Sequence, residues 1–406
     1  MSLEPGAGTA LVLGRGAYEG ELDITPYPAG LAVVEETTID GYLFGIREVP
    51  TTWPDETLAA QAVAARSYLA WTLDRGRSIN GTNYDYDICA SQFCQVYRGS
   101  ADTEASWADA VVRTTDEILV YDGRPAQALY SSSAGSRTRS NQDVWGGSAV
   151  PYLQAVDSPE EGYTPYERWE LRLSGAQFAR VFAAAGYWFG ERIDDVTLTS
   201  PGEGNGPERV EVHSELGVTS IQATDFRAVF NVHGPDLYPG SMPAARSDGG
   251  RWPQTILSYT FAVDYQPPAR ARNPHFPPGE VASQGTMTVV GEGWGHGIGM
   301  SQWGAMALGS EGASYQAILD HYYGLAADNG EEMLPDAVRV GLFVEEPRVS
   351  LTADGPFTLN APGWYPVALP AGVYSFWWTG DGVIVVAHGG VPIESPFFRL
   401  RTVQPR

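Results

Sequence analysis

The apolar pattern changes period at Trp53, and that change constrains the fold more than any other feature of the chain. Before it, Leu11-Val12-Leu13, Gly20 to Ile24 and Leu31 to Val34 are short alternating runs bounded by Gly and Pro, the pattern of strands joined by tight turns. After it, Leu58, Ala62, Ala65, Leu69 and Leu73 fall on one helical face, within a stripe of about 100°. Pro54 suits a first helical turn, Asp55 and Glu56 favour the positive end of the dipole, and Gly76 is placed as a C′ residue. The spacing predicts a helix over 54–75, rich in alanine and so able to pack closely.

The rest of the chain reads as mixed α+β, with strands predominating. A polar, aromatic stretch over 77–100 predicts a long loop, followed by a helix at 107–115 and strands at 117–121 and 126–131. Ser174-Gly-Ala-Gln177 is a capping-box pattern and predicts a helix to about Ala185. Strands are expected near 194–199, 207–213 and 217–222, loops over 234–252 and 265–280, and short helices over 302–309 and 314–323. After Asp336 the pattern is all β, with strands expected at 338–344, 349–352, 374–378 and 383–387. These form either a small module or strands completing the main sheet.

Charge removes several function classes. Lys+Arg number 25 against 49 Asp+Glu, a formal charge of −24, and every cation is arginine. Without lysine there is no Schiff-base chemistry and no lysine-bearing phosphate loop. So acidic a chain, with arginines scattered and no basic stripe, is not expected to bind nucleic acid. No run of about 18 apolar residues is present, so no membrane span is expected. The start shows no charged region followed by an apolar one, so either the protein stays in the cell or a leader has been removed. The two cysteines, Cys89 and Cys94, lie far in sequence from any histidine, which argues against a zinc site. A local disulfide is preferred, with two partly buried thiols as the alternative; a disulfide would imply an oxidising, extracytoplasmic location.

No metal and no cofactor is expected: the histidines (His213, His233, His275, His296, His321, His388) have no metal-like spacing, and there is no nucleophile elbow. Three stretches differ from ordinary core. The first runs from Tyr42 to Pro50 into the helix that carries Gln61 and Arg66. Glu48 stands there between Ile46 and Val49, where desolvation would raise its pKa towards that of a general acid. The bland alternatives are a surface Glu48 paired with Arg47, and Arg66 as a helix-surface ion pair. The second, Tyr130-Ser131-Ser132-Ser133 through Asp143-Val-Trp145, is a hydroxyl cluster suited to sugar hydroxyls or to a solvated turn. The third, Gly291 to Ala305, has five glycines within residues 291–299 around His296, so its backbone is forced into unusual angles or pressed close to something.

Read together, the stretches YLFGIREVPTTWPDETLAAQAVAARSYLAW, YSSSAGSRTRSNQDVWGGSAVPYL and GWGHGIGMSQWGAMALGSEGASYQAILDHYYG resemble, in order, the three motifs of the SpoIID/LytB family of bacterial cell-wall proteins. ATDFRAVFN resembles its intervening FR motif, and the likeness covers roughly residues 16–325. It implies a peptidoglycan lytic transglycosylase or an enhancer of cell-wall amidases, located outside the cytoplasm. By the same likeness Glu48 is the single catalytic acid/base, with Glu56 and Asp143 as candidate helpers. Gln61, Arg66, Tyr130, Ser132, Ser133, Trp145, His296, Ser301 and Gln302 would line the glycan groove. The expected partners are peptidoglycan glycan strands and a cell-wall amidase. The expected division is a SpoIID-like domain over 1–335 and a β-rich accessory segment over 336–406. Two departures stand out: Ala134-Gly135 replaces the usual Gly-Gly, and the cysteine pair in CASQFCQVYRG has no nearby histidine, which favours a disulfide over a metal.

Overall fold

The structure is a computed structural model, and it describes residues 1–27, 29–76, 85–199, 206–239, 255–267, 285–361, 365–379, 384–389 and 391–392. Most of the loop expected over 265–280 (with His275), residues 240–252 of the loop expected over 234–252, and the start of the strand expected at 383–387 lie outside the described residues, as do residues 77–84 of the loop expected over 77–100. The class is the expected one: mixed α+β and β-rich, 26% helical and 37% strand. The chain divides into two units, Met1–Gln127 with Ala327–Arg406, and Ala128–Ala326. Among the described residues, no helix is long and apolar enough to cross a membrane.

In the first unit the alternating N-terminal runs become strands of two sheets. One sheet has the order Val367–Leu369, Phe357–Asn360, Ser2–Pro5, Glu21–Tyr27, Gly30–Thr38, Ala337–Glu346, Ile88–Cys89. One face carries Leu3, Leu22, Ile24, Val33 and Val340, and residues 30–35 are buried on both faces. The expected boundary at 335/336 falls just before Ala337–Glu346, which pairs antiparallel with Gly30–Thr38 from Ala337↔Thr38 onward. Arg339 on that strand bridges Asp23 at 2.8 Å and Glu36 at 2.9 Å. The second sheet likewise mixes the two ends of the chain, with Arg348–Ala353 paired to Leu11–Leu13.

Three helices belong to this unit: α1 (Ile39–Phe44), α2 (Asp55–Asp74) and α3 (Ala105–Arg113). The alanine-rich pattern is α2, with Pro54 at its N-cap and Gly76 beyond its end at φ +82°. It departs from the expected single stripe, because Ala59, Ala60, Val63 and Ala64 on its other faces are as buried as Leu58 and Leu69. Small side chains let neighbours close on the helix from every side, so it is a central rod and not an amphipathic surface helix. The reading over 39–44 missed α1, which Thr38 caps by accepting the Gly41 N–H.

The second unit carries α4 (Asn141–Trp145), α5 (Gly175–Ala184), α6 (Ala223–Leu237), α7 (Gln302–Ser310) and α8 (Tyr315–Tyr323). Two three-stranded sheets, Trp169–Ser174/Thr286–Gly291/Phe261–Gln266 and Ile193–Thr199/Arg209–Ser214/Gly217–Gln222, enclose an aromatic core with α5 and α6. Phe178 and Phe182 of α5 meet Phe226 and Phe230 of α6, with ring centroids 5.2 Å apart for Phe182–Phe226. The capping box at Ser174 and Gln177 forms with both hydrogen bonds in place. The expected strand at 126–131 shrinks to Tyr130–Ser131, and 234–237, expected as loop, is the last turn of α6. Gly234-Pro235 suggests a breaker, but Pro235 is tolerated near the helix end, where the Phe226/Phe230 face already anchors the backbone.

Candidate functional site

In the first unit, Glu48 lies on the irregular segment between α1 and α2. That segment runs beside residues 95–98: Arg47 N–H donates to Val96 O and Arg98 N–H to Gly45 O, each at 2.8 Å. The approach is close enough that a Cβ at Gly45 would collide with the Tyr97 ring. The Glu48 carboxyl is half-buried, and its Oε1 accepts the Val96 N–H at 2.6 Å. Two residues earlier, Cys94 is joined to Cys89 in a disulfide. Cys89 belongs to a strand paired in parallel with Ala337–Glu346. The backbone that holds Glu48 is therefore tied to the main sheet.

Behind Glu48 the polar groups are connected. Tyr42 Oη donates to Gln95 Oε1 at 2.7 Å, and Gln95 Nε2 donates to Ala65 O of α2 at 3.2 Å. Burial, with the Glu48 charge second, pushes the Tyr42 hydroxyl well above the usual tyrosine range. Tyr42 stacks on Tyr97 at 5.1 Å, and Tyr97 Oη donates to Glu35 at 2.7 Å. Burial raises Glu35 to about 7, against the bonds from Tyr97 and the Gly20 N–H.

The remaining candidates of this unit fall differently. Gln61 is buried within α2. Arg66, expected in a groove, is a correction. It is 1% exposed and donates to the carbonyls of Val111, Thr114 and Glu117, closing the C-terminal end of α3 and the start of the next strand. Burial lowers its pKa to about 10. An arginine with three buried carbonyl partners is a structural clamp. Glu56 pairs with Arg113 at 2.8 Å on the surface of α2.

In the second unit the hydroxyl cluster is a strand, Tyr130–Ser131, paired in parallel with Met300–Ser301. Alternation divides its hydroxyls: Ser131 and Ser133 point inward and are buried, while Ser132 is half-exposed. Ser131 Oγ accepts the Gly297 N–H at 3.2 Å, and Ser133 and Trp294 exchange backbone bonds at 3.1 and 2.8 Å. The glycine run adopts the unusual backbone its composition requires: φ is 76° at Gly293, 114° at Gly295, 70° at Gly297 and 71° at Gly299. A Cβ at Gly299 would strike the Leu129 carbonyl.

His296, at the centre of that run, accepts the Ile298 N–H on Nδ1 at 3.0 Å, so the neutral ring carries its proton on Nε2. Burial and then the Arg227 charge lower its pKa to about 4, and a bond to the Tyr130 backbone opposes them. His296 is thus neutral at physiological pH. Its ring faces Trp145, at the end of α4, at 5.4 Å, and Trp145 is 51% exposed. Asp143 and Trp145, with Arg139, Gln142, Gln222 and Tyr259, line a small open cavity of about 100 Å³. Ser301 and Gln302, expected along the groove, are buried; Ser301 caps α7 by accepting the Gly304 N–H at 3.3 Å. The structure groups Tyr130, Ser132, Trp145 and His296 around the glycine run in this unit.

Two side chains escaped the sequence reading. Arg227, seen only as part of an FR motif, lies over the Tyr259 ring at 4.8 Å and donates to Leu257 O at 2.8 Å. Glu160 is 1% exposed, and burial raises it to about 7. Its setting, Pro159-Glu160-Glu161-Gly162, reads as a solvated turn and carries no signal of burial. Among the described residues no group of three or more His, Cys, Asp and Glu comes together as a metal site would.

Comparison with known proteins adds to this geometry. Residues 27–121, the stretch that contains Glu48 and the disulfide, match the SpoIID family, described as Stage II sporulation protein. Stage II sporulation protein D of Bacillus subtilis is 23% identical over 315 residues, covering 74% of this chain and 77% of the relative. By these matches the chain resembles the SpoIID/LytB family. The amidase enhancer of Bacillus subtilis is 29% identical over 293 residues, 68% of this chain but 38% of the relative. An uncharacterized protein of Brachyspira hyodysenteriae is 28% identical over 308 residues, 75% of this chain and 70% of its own length.

Proposed function

We propose that this chain acts on the bacterial cell wall as a peptidoglycan lytic transglycosylase, with Glu48 as its single acid/base. The observation that carries the reading is the Glu48 carboxyl: half-buried, held at Oε1 by Val96, and inside the family-matched segment. Glu48 protonates the glycosidic oxygen of the MurNAc–GlcNAc β-1,4 bond and the C1–O bond breaks. The resulting carboxylate then takes the proton of the MurNAc C6 hydroxyl, whose oxygen bonds to C1, giving a 1,6-anhydro end without water. One carboxyl suffices for both transfers, whereas hydrolytic glycosidases need two. The exposed Trp145, the Ser132 hydroxyl and the neutral His296 offer the second unit an aromatic face and hydrogen-bonding groups for sugar. The disulfide suits an extracytoplasmic, cell-wall location.

A digest of purified peptidoglycan, intact and amidase-stripped, tests this by mass spectrometry. Release of 1,6-anhydro products by the wild type and not by Glu48→Gln supports the reading; their absence from the wild type overturns it. A second reading, a non-catalytic enhancer of a cell-wall amidase, is favoured by the relative named amidase enhancer. It requires that wild type and Glu48→Gln both bind glycan and speed an added amidase equally.

A further inference from the structure

Glu160 takes no part in the chemistry assigned to Glu48, yet the hydroxyl-bearing segments of the second unit converge on it. Its Oε1 accepts from three donors: the Ala134 N–H at 2.9 Å, the Ser301 hydroxyl at 3.0 Å and the Ser158 hydroxyl at 3.1 Å. The Ser133 hydroxyl, next to Ala134, is a further hydrogen-bond partner of the carboxyl. Among the described residues it has no cationic partner, so these donors are its solvation.

These donors come from three different stretches. Ala134 follows directly on the strand segment that presents Ser132. Ser301 caps α7, and Trp303 in the first turn of that helix donates its N–H to Ser132 O at 3.0 Å. Ser158 meets the Tyr322 hydroxyl of α8 at 3.0 Å. There is no slack at the centre, since a Cβ at Gly304 would strike both Tyr322 Oη and Ser158 Oγ. A buried carboxyl with convergent donors fixes the relative placement of its segments, because each donor left unmade in the interior carries its full desolvation penalty.

We propose that Glu160 is a positioning residue that locks the Ser132 segment and the N-terminus of α7 into one glycan-binding surface. The ligand rests on the cell-wall reading above, while the positioning rests on this geometry alone. It predicts that an acceptor, and not a charge, is what the site needs. Glutamine offers an oxygen to the same donors; leucine, of similar shape, offers none.

The test uses the full chain as wild type, Glu160→Gln and Glu160→Leu. Amide hydrogen exchange is followed at residues 132–134 and 299–304, and affinity is measured for glycan strands prepared from amidase-stripped peptidoglycan. Glu160→Leu is expected to speed exchange at both segments at least tenfold, with residues 193–199 and 209–222 unchanged, and to weaken glycan binding at least tenfold. Glu160→Gln is expected within about threefold of wild type on both measures. Unchanged exchange in Glu160→Leu, or a glutamine variant as impaired as leucine, overturns the proposal. If the wild type binds no glycan strand, the cell-wall reading falls and the exchange measurement alone decides the positioning. If Glu160→Leu loses its near-UV dichroism, Ser158→Ala removes one donor instead. A local rise in exchange at 132–134 then supports the proposal, and none overturns it.

Discussion

Glu48 in the first unit and Glu160 in the second are both withdrawn from solvent, but their surroundings differ. Glu48 sits on an irregular segment, half-buried, with Oε1 on a backbone N–H. Glu160 is sealed, held by Ala134, Ser158 and Ser301 on Oε1 and by the Ser133 hydroxyl. A carboxyl that gives and takes a proton from substrate needs a face the substrate can reach. A carboxyl that holds segments together needs a closed shell. Glu35 and Glu160 are both raised by burial, and both are held by donors from neighbouring segments. A perturbed carboxyl therefore marks a functional site only when its geometry leaves room for a ligand.

The comparison can be broken first by truncation. Removing residues 336–406 deletes Ala337–Glu346, an interior strand of the first sheet flanked by Gly30–Thr38 and Ile88–Cys89. The first unit is expected to lose its cooperative fold while the aromatic core of the second survives. Limited proteolysis with mass spectrometry would show this, and a native first unit would make 336–406 a true accessory module. Next in size, Glu48→Gln should lower 1,6-anhydro product release by about 10³-fold, with a melting temperature close to wild type. Loss of stability equal to that of Glu160→Leu would place Glu48 in the same structural class.

The third test is pH. Glu35 and Glu160 keep their protons to about 7 when folded, whereas an unfolded glutamate ionises near 4.5. Between those values the folded state binds more protons, so stability falls as pH rises, by roughly 3 kcal/mol for each group. His296 acts in the opposite sense. Its folded pKa of about 4 lies below the unfolded 6.5, so it adds stability as pH rises through that window. Chemical denaturation from pH 4.5 to 6.5 should therefore show a falling stability with a net slope of about one proton from these groups. Glu35→Gln should flatten it and His296→Gln should steepen it; no change in either would remove these three groups from the account. The smallest effect is expected of Cys89→Ser with Cys94→Ser. Opening so short a loop costs about 2 kcal/mol by the chain-entropy estimate, and faster exchange at Val96 should accompany it.

Legibility in the sequence followed how local the cause was. The helix over 54–75, the capping box at Ser174 and the left-handed glycine run are settled by neighbours in sequence, and they were readable there. The strands Trp169–Ser174, Phe261–Gln266 and Thr286–Gly291 were not identified; the middle one runs into a proline-rich stretch that suggests a loop. The helix α6 was hidden by Gly234-Pro235, although Phe226 and Phe230 already mark its buried face. Site residues divided the same way. Ser131, Ser132 and Ser133 look alike in the sequence, and only the strand's alternation separates them. Arg66 and Glu160 find their partners 45 to 51 and 2 to 141 positions away, which no local pattern reveals.

The all-round burial of α2 leaves the helix with no idle side. A substitution scan across it would not alternate between tolerant and intolerant positions every three or four residues, as it does for a helix with one face in water. It would give a nearly uniform band of intolerance from Thr57 to Ala70, in which bulk is penalised as much as polarity. The run of alanines is then best understood as a spacing device: it fixes how closely the rest of the first unit can draw in around the segment that carries Glu48.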